Sequence, residues 1–209
     1  QYQAFVEAPD GYNNRQWWDM SPNLADRDNM PGDQEWRIPN HPAENVSWYD
    51  AMAFCRWVTF SLRQVGLPEL QDGKAIRLPT EAEWQLAAGG PNRYDYPWGS
   101  TYAIGFANVD ESGEDGGVYI EKTTAVGIYP NGKADCGALD MSGNVWEWTL
   151  SESGDGSHDD ITNARPRVLR GGSWLNGPDF ARASSRRDVS PSNRGRLSGF
   201  RVVVAAPVP

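Results

Sequence analysis

The stretch that decides the fold runs from Arg167-Val168-Leu169-Arg170-Gly171-Gly172-Ser173-Trp174 to Gly199-Phe200-Arg201-Val202-Val203-Val204. The two ends of this stretch have sequences typical of ordered structural elements. The paired glycines permit a tight turn or a close backbone approach, and the run of valines predicts a strand buried on both faces. Residues 175–198 between them are small, polar or charged, and their only large apolar side chains are Leu175, Phe180 and Leu197. Long irregular segments held between ordered elements usually carry function.

The composition narrows the class of protein. With 209 residues, the chain has the length of one domain, and we expect a single domain over residues 1–209. A mean hydropathy of −0.64 predicts no membrane-spanning segment. A net charge of −9 argues against nucleic-acid binding, which favours a basic face. Ten Trp with 22 Gly and 15 Pro predict a loop-rich fold whose core depends on large aromatic side chains.

Local patterns predict an α+β domain. Apolar spacing favours a short helix over residues 1–8 and a longer one from Ser47 to Gly66, with Ser47 as its N-cap. Thr80 and Glu83 form a capping box for a helix that ends at the glycines 89 and 90. A short strand is predicted over residues 76–78, and residues 91–165 contain no helical pattern.

Cysteine and histidine are scarce. The only cysteines are Cys55 and Cys136, so a disulfide framework is excluded, and the spacing does not decide whether these two pair. We expect Cys55 to be a buried thiol in an apolar helix. The two histidines, His41 and His158, are too few for a histidine-based metal centre.

Five motifs occur together in one order along nearly the whole chain. They are Arg77–Trp84, Tyr96–Gly99, Gly143–Trp148, Arg170–Trp174 and Gly199–Arg201. In this combination the chain resembles the formylglycine-generating-enzyme/sulfatase-modifying family. The resemblance implies a C-type-lectin-like fold with two main helices, short twisted antiparallel strands and much irregular structure. The upstream strand region of the family is absent, so we expect residues before Gln1.

The same resemblance argues against the family's oxidase activity. Oxidase members bind copper through two cysteines after the Gly-Gly-Ser-aromatic motif, and the matching positions here are Asn176 and Ala181. A soft metal needs soft ligands, so we expect no copper site. Sulfoxide synthases of the family use histidines from a helical domain that this chain lacks. A branch involved in siderophore maturation also lacks the cysteines, which leaves an oxidase-type enzyme open as the alternative.

A third branch fits residues 175–198 better. The variable proteins of diversity-generating retroelements use this fold to display a diversified surface in the corresponding segment. By that resemblance we expect a non-catalytic, receptor-type domain that binds an unidentified protein or small molecule, and we expect Trp174 to line the surface. The candidate ligand-binding residues are Trp174, Leu175, Asn176, Gly177, Phe180, Ser185, Arg187, Asp188, Val189, Gly195, Arg196 and Leu197. A plain surface loop in a relative that is not diversified remains the other interpretation.

Two calcium sites are also implied by the resemblance. The residues that match the first are Asn108, Val109, Asp115 and Gly117, and those that match the second are Ser142, Gly143, Val145 and Glu147. Hard cations take oxygen ligands, and we expect a structural role for calcium. A solvated acidic loop, and a glutamate that accepts hydrogen bonds from a turn, are the alternatives.

Two further expectations concern the partners of four arginines and the compartment of the protein. The arginines at 182, 186, 194 and 201 are expected to pair with carboxylates and carbonyls rather than to bind an anionic ligand. For the compartment we expect the cytoplasm, with the cell surface or the periplasm left open, because residues upstream of Gln1 decide it.

Overall fold

The computed structural model describes residues 1–19, 30–154 and 160–207, and in these ranges the chain forms three α-helices and six short strands. The helices are α1 (Tyr2–Glu7), α2 (Trp48–Gln64) and α3 (Glu81–Gly89). The strands are β1 (Ala75–Arg77), β2 (Trp146–Glu152), β3 (Arg167–Arg170), β4 (Arg186–Val189), β5 (Ser198–Phe200) and β6 (Val203–Ala205). The α+β class is confirmed. No helix in the described ranges is long and apolar enough to cross a membrane.

Both longer helices begin as the sequence predicts. The Ser47 hydroxyl accepts from the Asp50 backbone N–H at the start of α2, and the Asp50 side chain accepts from the Ser47 N–H in return. Thr80 and Glu83 make the same reciprocal pair at the start of α3. Each pair satisfies donors that a helix N-terminus would otherwise leave without partners.

A four-stranded sheet in the order β4-β3-β2-β5 forms the centre of the fold. Trp148 of β2 lies opposite Leu169 of β3 in an antiparallel pair and opposite Phe200 of β5 in a parallel pair. The sheet is therefore mixed, whereas the sequence predicted antiparallel strands. Every residue of β2 is buried.

Strand β2 was not predicted, although apolar and polar residues alternate along it as in a half-exposed strand. The polar side chains are satisfied inside the protein: the Thr149 hydroxyl donates to the Val168 carbonyl at 3.0 Å, and the Ser151 hydroxyl accepts from the Glu81 N–H at 2.9 Å. A buried polar group costs little when it is hydrogen-bonded. The alternating sequence of β2 is thus typical of a strand with one face in water, but both of its faces are buried.

The valine run at residues 202–204 is not buried on both faces, and this prediction is wrong. Val202 is 40% exposed and Val204 is 45% exposed. Only Val203 and Val204 belong to β6, which pairs with β1 in a separate two-stranded sheet. Val204 therefore remains partly in water, although its cross-strand partner Ile76 is buried.

The core consists largely of aromatic rings, as the composition indicated. Trp18, Trp48, Trp84 and Trp148 are at most 1% exposed. The guanidinium of Arg167, itself fully buried, lies 4.4 Å from the centroid of the Trp48 ring. Large rings of this kind bury much apolar area in a chain with few long helices.

Residues 175–198 contain more regular structure than we predicted. A short 3-10 turn spans Pro178–Ala181, and β4 forms the outer edge of the central sheet. Three of the four β4 side chains are exposed and charged. An edge strand of this kind shows no apolar alternation, which is why its sequence did not indicate a strand.

Candidate ligand-binding surface

A turn at Gly171 and Gly172 shapes the surface. Both residues have positive φ, at 95° and 75°. A Cβ on Gly172 would lie 2.6 Å from the Phe180 carbonyl oxygen, so the chain after the turn packs directly against the glycine. The backbone N–H of Trp174 donates to the Asn144 carbonyl at 3.0 Å. The turn therefore places Trp174 and Phe180 beside the framework from which the surface projects.

Asn176 is anchored by four hydrogen bonds, one of which runs from its backbone N–H to the Ser173 carbonyl at 2.9 Å. Its side-chain oxygen accepts from the Trp146 indole at 2.9 Å and from the Ser173 hydroxyl at 2.7 Å. Its backbone carbonyl accepts from the Asp110 N–H at 2.9 Å. Asn176, although one of the candidate ligand-binding residues, is thus a structural residue whose hydrogen bonds fix its neighbours in place.

The three apolar or cationic side chains expected to anchor a ligand all reach solvent. Leu175 is 40% exposed, Phe180 is 51% exposed, and the Arg196 side chain is 52% exposed. Phe180 lies edge-on to the buried Trp146, with ring centroids 6.4 Å apart. These side chains extend from a rigid base, an arrangement that lowers the entropy lost on binding.

Trp174 itself is covered and is only 2% exposed. The Tyr119 ring stacks against it at a centroid distance of 6.4 Å and an interplanar angle of 23°. The Arg196 guanidinium carbon lies 5.2 Å from the centroid of the Trp174 ring. Tyr119 has no counterpart in the sequence-based prediction, because no local pattern connects it with a residue so distant in the chain.

The loop before β5 is held by a buried ion pair. Arg194 donates to both carboxylate oxygens of Asp50, each at 2.8 Å, and also to the Tyr12 hydroxyl at 3.0 Å. The Asn45 N–H donates to the Gly195 carbonyl at 3.1 Å. Gly195, Arg196 and Leu197 therefore stand in a fixed position next to the start of α2.

The structure divides the predicted residues into two groups. Trp174, Asn176, Phe180 and Arg196 are linked through the contacts above. Arg187, Asp188 and Val189 instead lie on β4, where they pair with Leu169, Val168 and Arg167. Because β5 is at the opposite edge of the sheet, about 14 Å separates the two edges across four strands.

Two remaining candidate positions lie close to the 3-10 turn. The Ser185 hydroxyl donates to the Asp179 carbonyl at 3.0 Å, and the Ser185 carbonyl accepts from Arg170 at 2.7 Å. Gly177 precedes the turn, and a Cβ there would meet only the Asp110 carbonyl oxygen, at 3.8 Å. Larger side chains at Gly177 therefore fit without displacing the backbone.

The positions that match the copper cysteines of the resemblance carry no thiol. Asn176 makes the bonds described above, and Ala181 is fully buried with its carbonyl accepting from the Ser142 hydroxyl at 2.5 Å. Both cysteines are free thiols. Cys55 is buried in α2, where burial raises its pKa strongly, and Cys136 is exposed.

The first calcium set contains one feature that fits an ion. Asn108 is 2% exposed, and its side-chain oxygen has no partner among the described residues. Gly117 lies so close to the Glu111 carbonyl that a Cβ would be 2.1 Å from that oxygen. Asp115 is exposed, and Val109 is 2% exposed. The Asn108 oxygen is the kind of ligand that calcium accepts.

The second calcium set is occupied by protein contacts. Arg201 donates to both Glu147 oxygens at 2.5 and 2.6 Å, and the Trp84 indole donates to one of them at 2.7 Å. Ser142, Gly143 and Val145 are buried around the same turn. Both Glu147 oxygens already accept hydrogen bonds, and calcium at this set stays a prediction. Within the described residues, no cluster of three or more His, Cys, Asp or Glu is positioned for a metal.

The four arginines form ion pairs, as predicted. Arg194 and Arg201 pair with Asp50 and Glu147, as above. Arg186 lies 2.9 Å from Glu81, and Arg182 lies 3.3 Å from Asp95. His41 shares a 2.8 Å hydrogen bond with Thr123, and His158 lies outside the described residues.

The sequence also gave no indication of a cleft of about 1260 Å³ on another part of the surface. Tyr2, Phe54 and Phe200 contribute apolar lining, and Trp36 and His41 contribute polar atoms. The cleft is formed by segments from both halves of the chain, so no single motif reveals it.

Comparison with known proteins assigns the family. The model of the sulfatase-modifying factor enzyme 1-like domain matches residues 1–206. The chain belongs to this family. An inactive C-alpha-formylglycine-generating enzyme 2 of Bos taurus is 33% identical over 79% of this chain and 50% of the relative. A formylglycine-generating enzyme of Mycobacterium tuberculosis is 34% identical over 90% of this chain and 66% of the relative.

A hercynine oxygenase of Mycolicibacterium thermoresistibile is 30% identical over 97% of this chain but only 48% of the relative. This member of the sulfatase-modifying factor family thus spans about half to two thirds of the length of these relatives. The relatives include proteins named as enzymes and one named as inactive. Family membership therefore does not decide whether the chain catalyses a reaction.

Solved structures confirm the fold. PvdO from Pseudomonas aeruginosa superposes with a TM-score of 0.65 at 27% identity, over 84% of this chain and 66% of PvdO. Treponema denticola variable protein 1 superposes with a TM-score of 0.64 at 26% identity, over 93% of this chain and 82% of the variable protein. The resemblance to a variable protein thus extends to the tertiary structure.

Proposed function

We propose that this chain is a non-catalytic, receptor-type domain that binds a protein or small-molecule ligand on a diversified surface next to Trp174. One observation carries the proposal. Asn176 stands where the oxidases of the family have a copper-binding cysteine, and its oxygen instead fixes the Trp146 indole and the Ser173 hydroxyl. The position therefore supports a framework and supplies no soft metal ligand.

The distribution of exposure supports a binding role. Leu175, Phe180 and Arg196 reach solvent. Their chain neighbours Trp174, before Leu175, and Ala181, after Phe180, are buried. Aromatic and arginine side chains often contribute most of the energy of an interface. Because these side chains stand on a buried base, substitution there changes the surface chemistry with little effect on the core.

The decisive experiment randomises Leu175, Phe180 and Arg196 together and leaves Asn176 and Trp174 unchanged. Most library members are expected to retain a cooperative melt, and selection against a panel of immobilised proteins is expected to give binders with different specificities. A matched library randomised at Asn176, Ala181 and Ser173 should lose folding. Equal loss of folding in both libraries would contradict the proposal.

A genomic observation tests the diversified part separately. A nearby near-copy of the codons for residues 175–198, different almost only at adenines and close to a reverse transcriptase gene, is expected. Without such a repeat, the domain would be a binding relative that is not diversified.

An oxidase-type activity is the second candidate, because relatives named as a formylglycine-generating enzyme and a hercynine oxygenase align over most of this chain. It predicts oxygen consumption with a cysteine-containing sulfatase peptide or with a siderophore precursor. Copper dependence is tested on the unmodified chain, by adding copper or a copper chelator to the same assay. Turnover by the unmodified chain would favour the enzyme over the receptor.

We further propose a structural calcium ion at Asn108, Val109, Asp115 and Gly117. The buried, unpartnered oxygen of Asn108 supports this site. The expected result is a melting temperature that rises with calcium and falls with a chelator, and a smaller response in Asp115→Asn. Glu147→Gln is the corresponding test of the second set. A smaller rise of the melting temperature with calcium in this variant would support an ion at that set.

A further inference from the structure

The indole of Trp174 has an unused hydrogen-bond donor. The side chain is 2% exposed, and its Nε1–H has no acceptor among the described residues. Buried indole N–H groups normally find a partner. This donor needs an acceptor, which a guanidinium lacks but which a backbone carbonyl of a bound partner residue has. The backbone N–H of Trp174 is already bound to the Asn144 carbonyl.

Two side chains cover the indole, and one of them is a cation. Tyr119 stacks with Trp174 at a centroid distance of 6.4 Å, and the Arg196 guanidinium lies over the Trp174 ring at 5.2 Å. An arginine over an indole is the favoured geometry of a cation–π contact. The fold thus already places one planar cation on this aromatic pair.

The cover formed by Arg196 is weakly held. Its Nη1 lies 3.8 Å from the Glu35 carboxylate, with the two side chains 52% and 37% exposed. Exposed ion pairs and exposed cation–π contacts both contribute little to stability. Arg196 can therefore leave the ring at small cost, and its departure uncovers the Trp174 indole.

Three carboxylates lie near Tyr119 and Arg196. Burial raises the pKa of Tyr119, and the negative charges of Asp110 and Glu121 raise it further, while Arg196 opposes them. Glu35 adds a third carboxylate on the side of Arg196. An aromatic face near several carboxylates attracts a cation and repels an anion.

We propose that the surface formed by Trp174 and Tyr119 binds a planar cationic group, such as an arginine side chain of a partner protein, and that Arg196 competes with it from within the chain. The proposal rests on the proposed function, since it assigns a ligand class to the same surface. It assigns Arg196 a different role from the one expected above: Arg196 is an internal competitor and not an anchor for this ligand. A partner guanidinium takes the position of Arg196 over the ring. Glu35, Asp110 and Glu121 supply the counter-charge.

The probe is N-acetyl-L-arginine amide, added to the unmodified chain and to Arg196→Ala. Binding is followed by the indole N–H resonance of Trp174 in two-dimensional NMR. The expected result is a saturable shift in both proteins, with an apparent affinity about fivefold higher in Arg196→Ala because the internal competitor is gone. N-acetyl-L-citrulline amide, which has the same shape without the charge, is expected to give no shift.

Three results would overturn the proposal: equal affinity in both proteins, equal binding of the citrulline compound, or preferential binding of N-acetyl-L-glutamate amide. Arg196→Gln provides a second variant that keeps a polar side chain without the charge, and its affinity for the arginine probe should rise as in Arg196→Ala. If the randomised library still yields binders while the arginine probe fails, only the ligand class is wrong. If the library also yields no binders, the proposed function fails with it.

Discussion

Arg194 donates from Nε and from Nη2 to the two carboxylate oxygens of Asp50, both at 2.8 Å. Asp50 is fully buried and is also the residue that completes the capping box of α2. Arginine–carboxylate pairs are frequently two-pronged in this way, which adds both energy and geometric specificity. One carboxylate thus connects the start of the main helix to the loop that carries Arg196.

Replacing Arg194 by methionine is expected to destabilise the chain by about 3–5 kcal/mol, because Asp50 would remain as a buried charge without its cation. Urea unfolding at neutral pH measures the change. Arg187→Met, at an exposed position of β4, is the matched control and should change stability by less than about 0.5 kcal/mol. Similar effects of the two substitutions would show that the Asp50 pair is not essential to the fold.

Asn176→Ala is expected to cost about 1–3 kcal/mol, since the Trp146 indole and the Ser173 hydroxyl would both lose their acceptor. Leu175→Ala removes a side chain that is 40% exposed and should cost less. Thermal unfolding of the two variants gives the comparison. If Asn176→Ala were the milder of the two, position 176 would belong to the exchangeable surface.

The ion pair between Arg77 and Glu83 predicts a pH dependence. Hydrogen bonds from Arg77, at 2.7 Å to each oxygen, lower the pKa of Glu83 to about 2 from the usual 4.5. The stabilisation is therefore complete above the unfolded pKa and is lost as the pH falls from 4.5 towards 2. Because the Glu83 side chain is 41% exposed, solvent screening limits the contribution to about 1 kcal/mol.

The measurement for Glu83 is the difference in unfolding free energy between the unmodified chain and Glu83→Gln. This difference should be largest at neutral pH and should shrink towards zero near pH 2. In an Arg77→Gln background, the same comparison is the control and should show a much weaker trend, because Glu83 has lost its cationic partner. A difference that stays constant across the acidic range would rule out the linkage.

The two thiols should differ sharply in reactivity. Cys136 is exposed and should react with a disulfide reagent in the native chain, whereas Cys55 is buried with a raised pKa. Titration is expected to give one fast equivalent under native conditions and a second only in denaturant. Cys136→Ser should abolish the fast equivalent, and two fast equivalents in the unmodified chain would contradict the burial of Cys55.

Local features were predictable from the sequence because neighbouring residues decide them. The capping pairs that begin α2 and α3 use residues three positions apart, so their spacing alone predicts the helix starts. The aromatic core and the ion pairs of the four arginines followed from residue type. The burial of β2 did not, because its polar side chains find partners that are distant in sequence, such as the Val168 carbonyl for Thr149.

The stretch from residue 167 to residue 204 shows the same division. By itself, the sequence determined that framework motifs enclose a polar segment, that no thiol stands at 176 or 181, and that the chain resembles the sulfatase-modifying factor family. Only the tertiary structure decided that Val202 and Val204 are nearly half exposed and that Tyr119 and Arg196 cover Trp174. These outcomes depend on contacts between segments far apart in the chain, which local spacing and residue type do not encode.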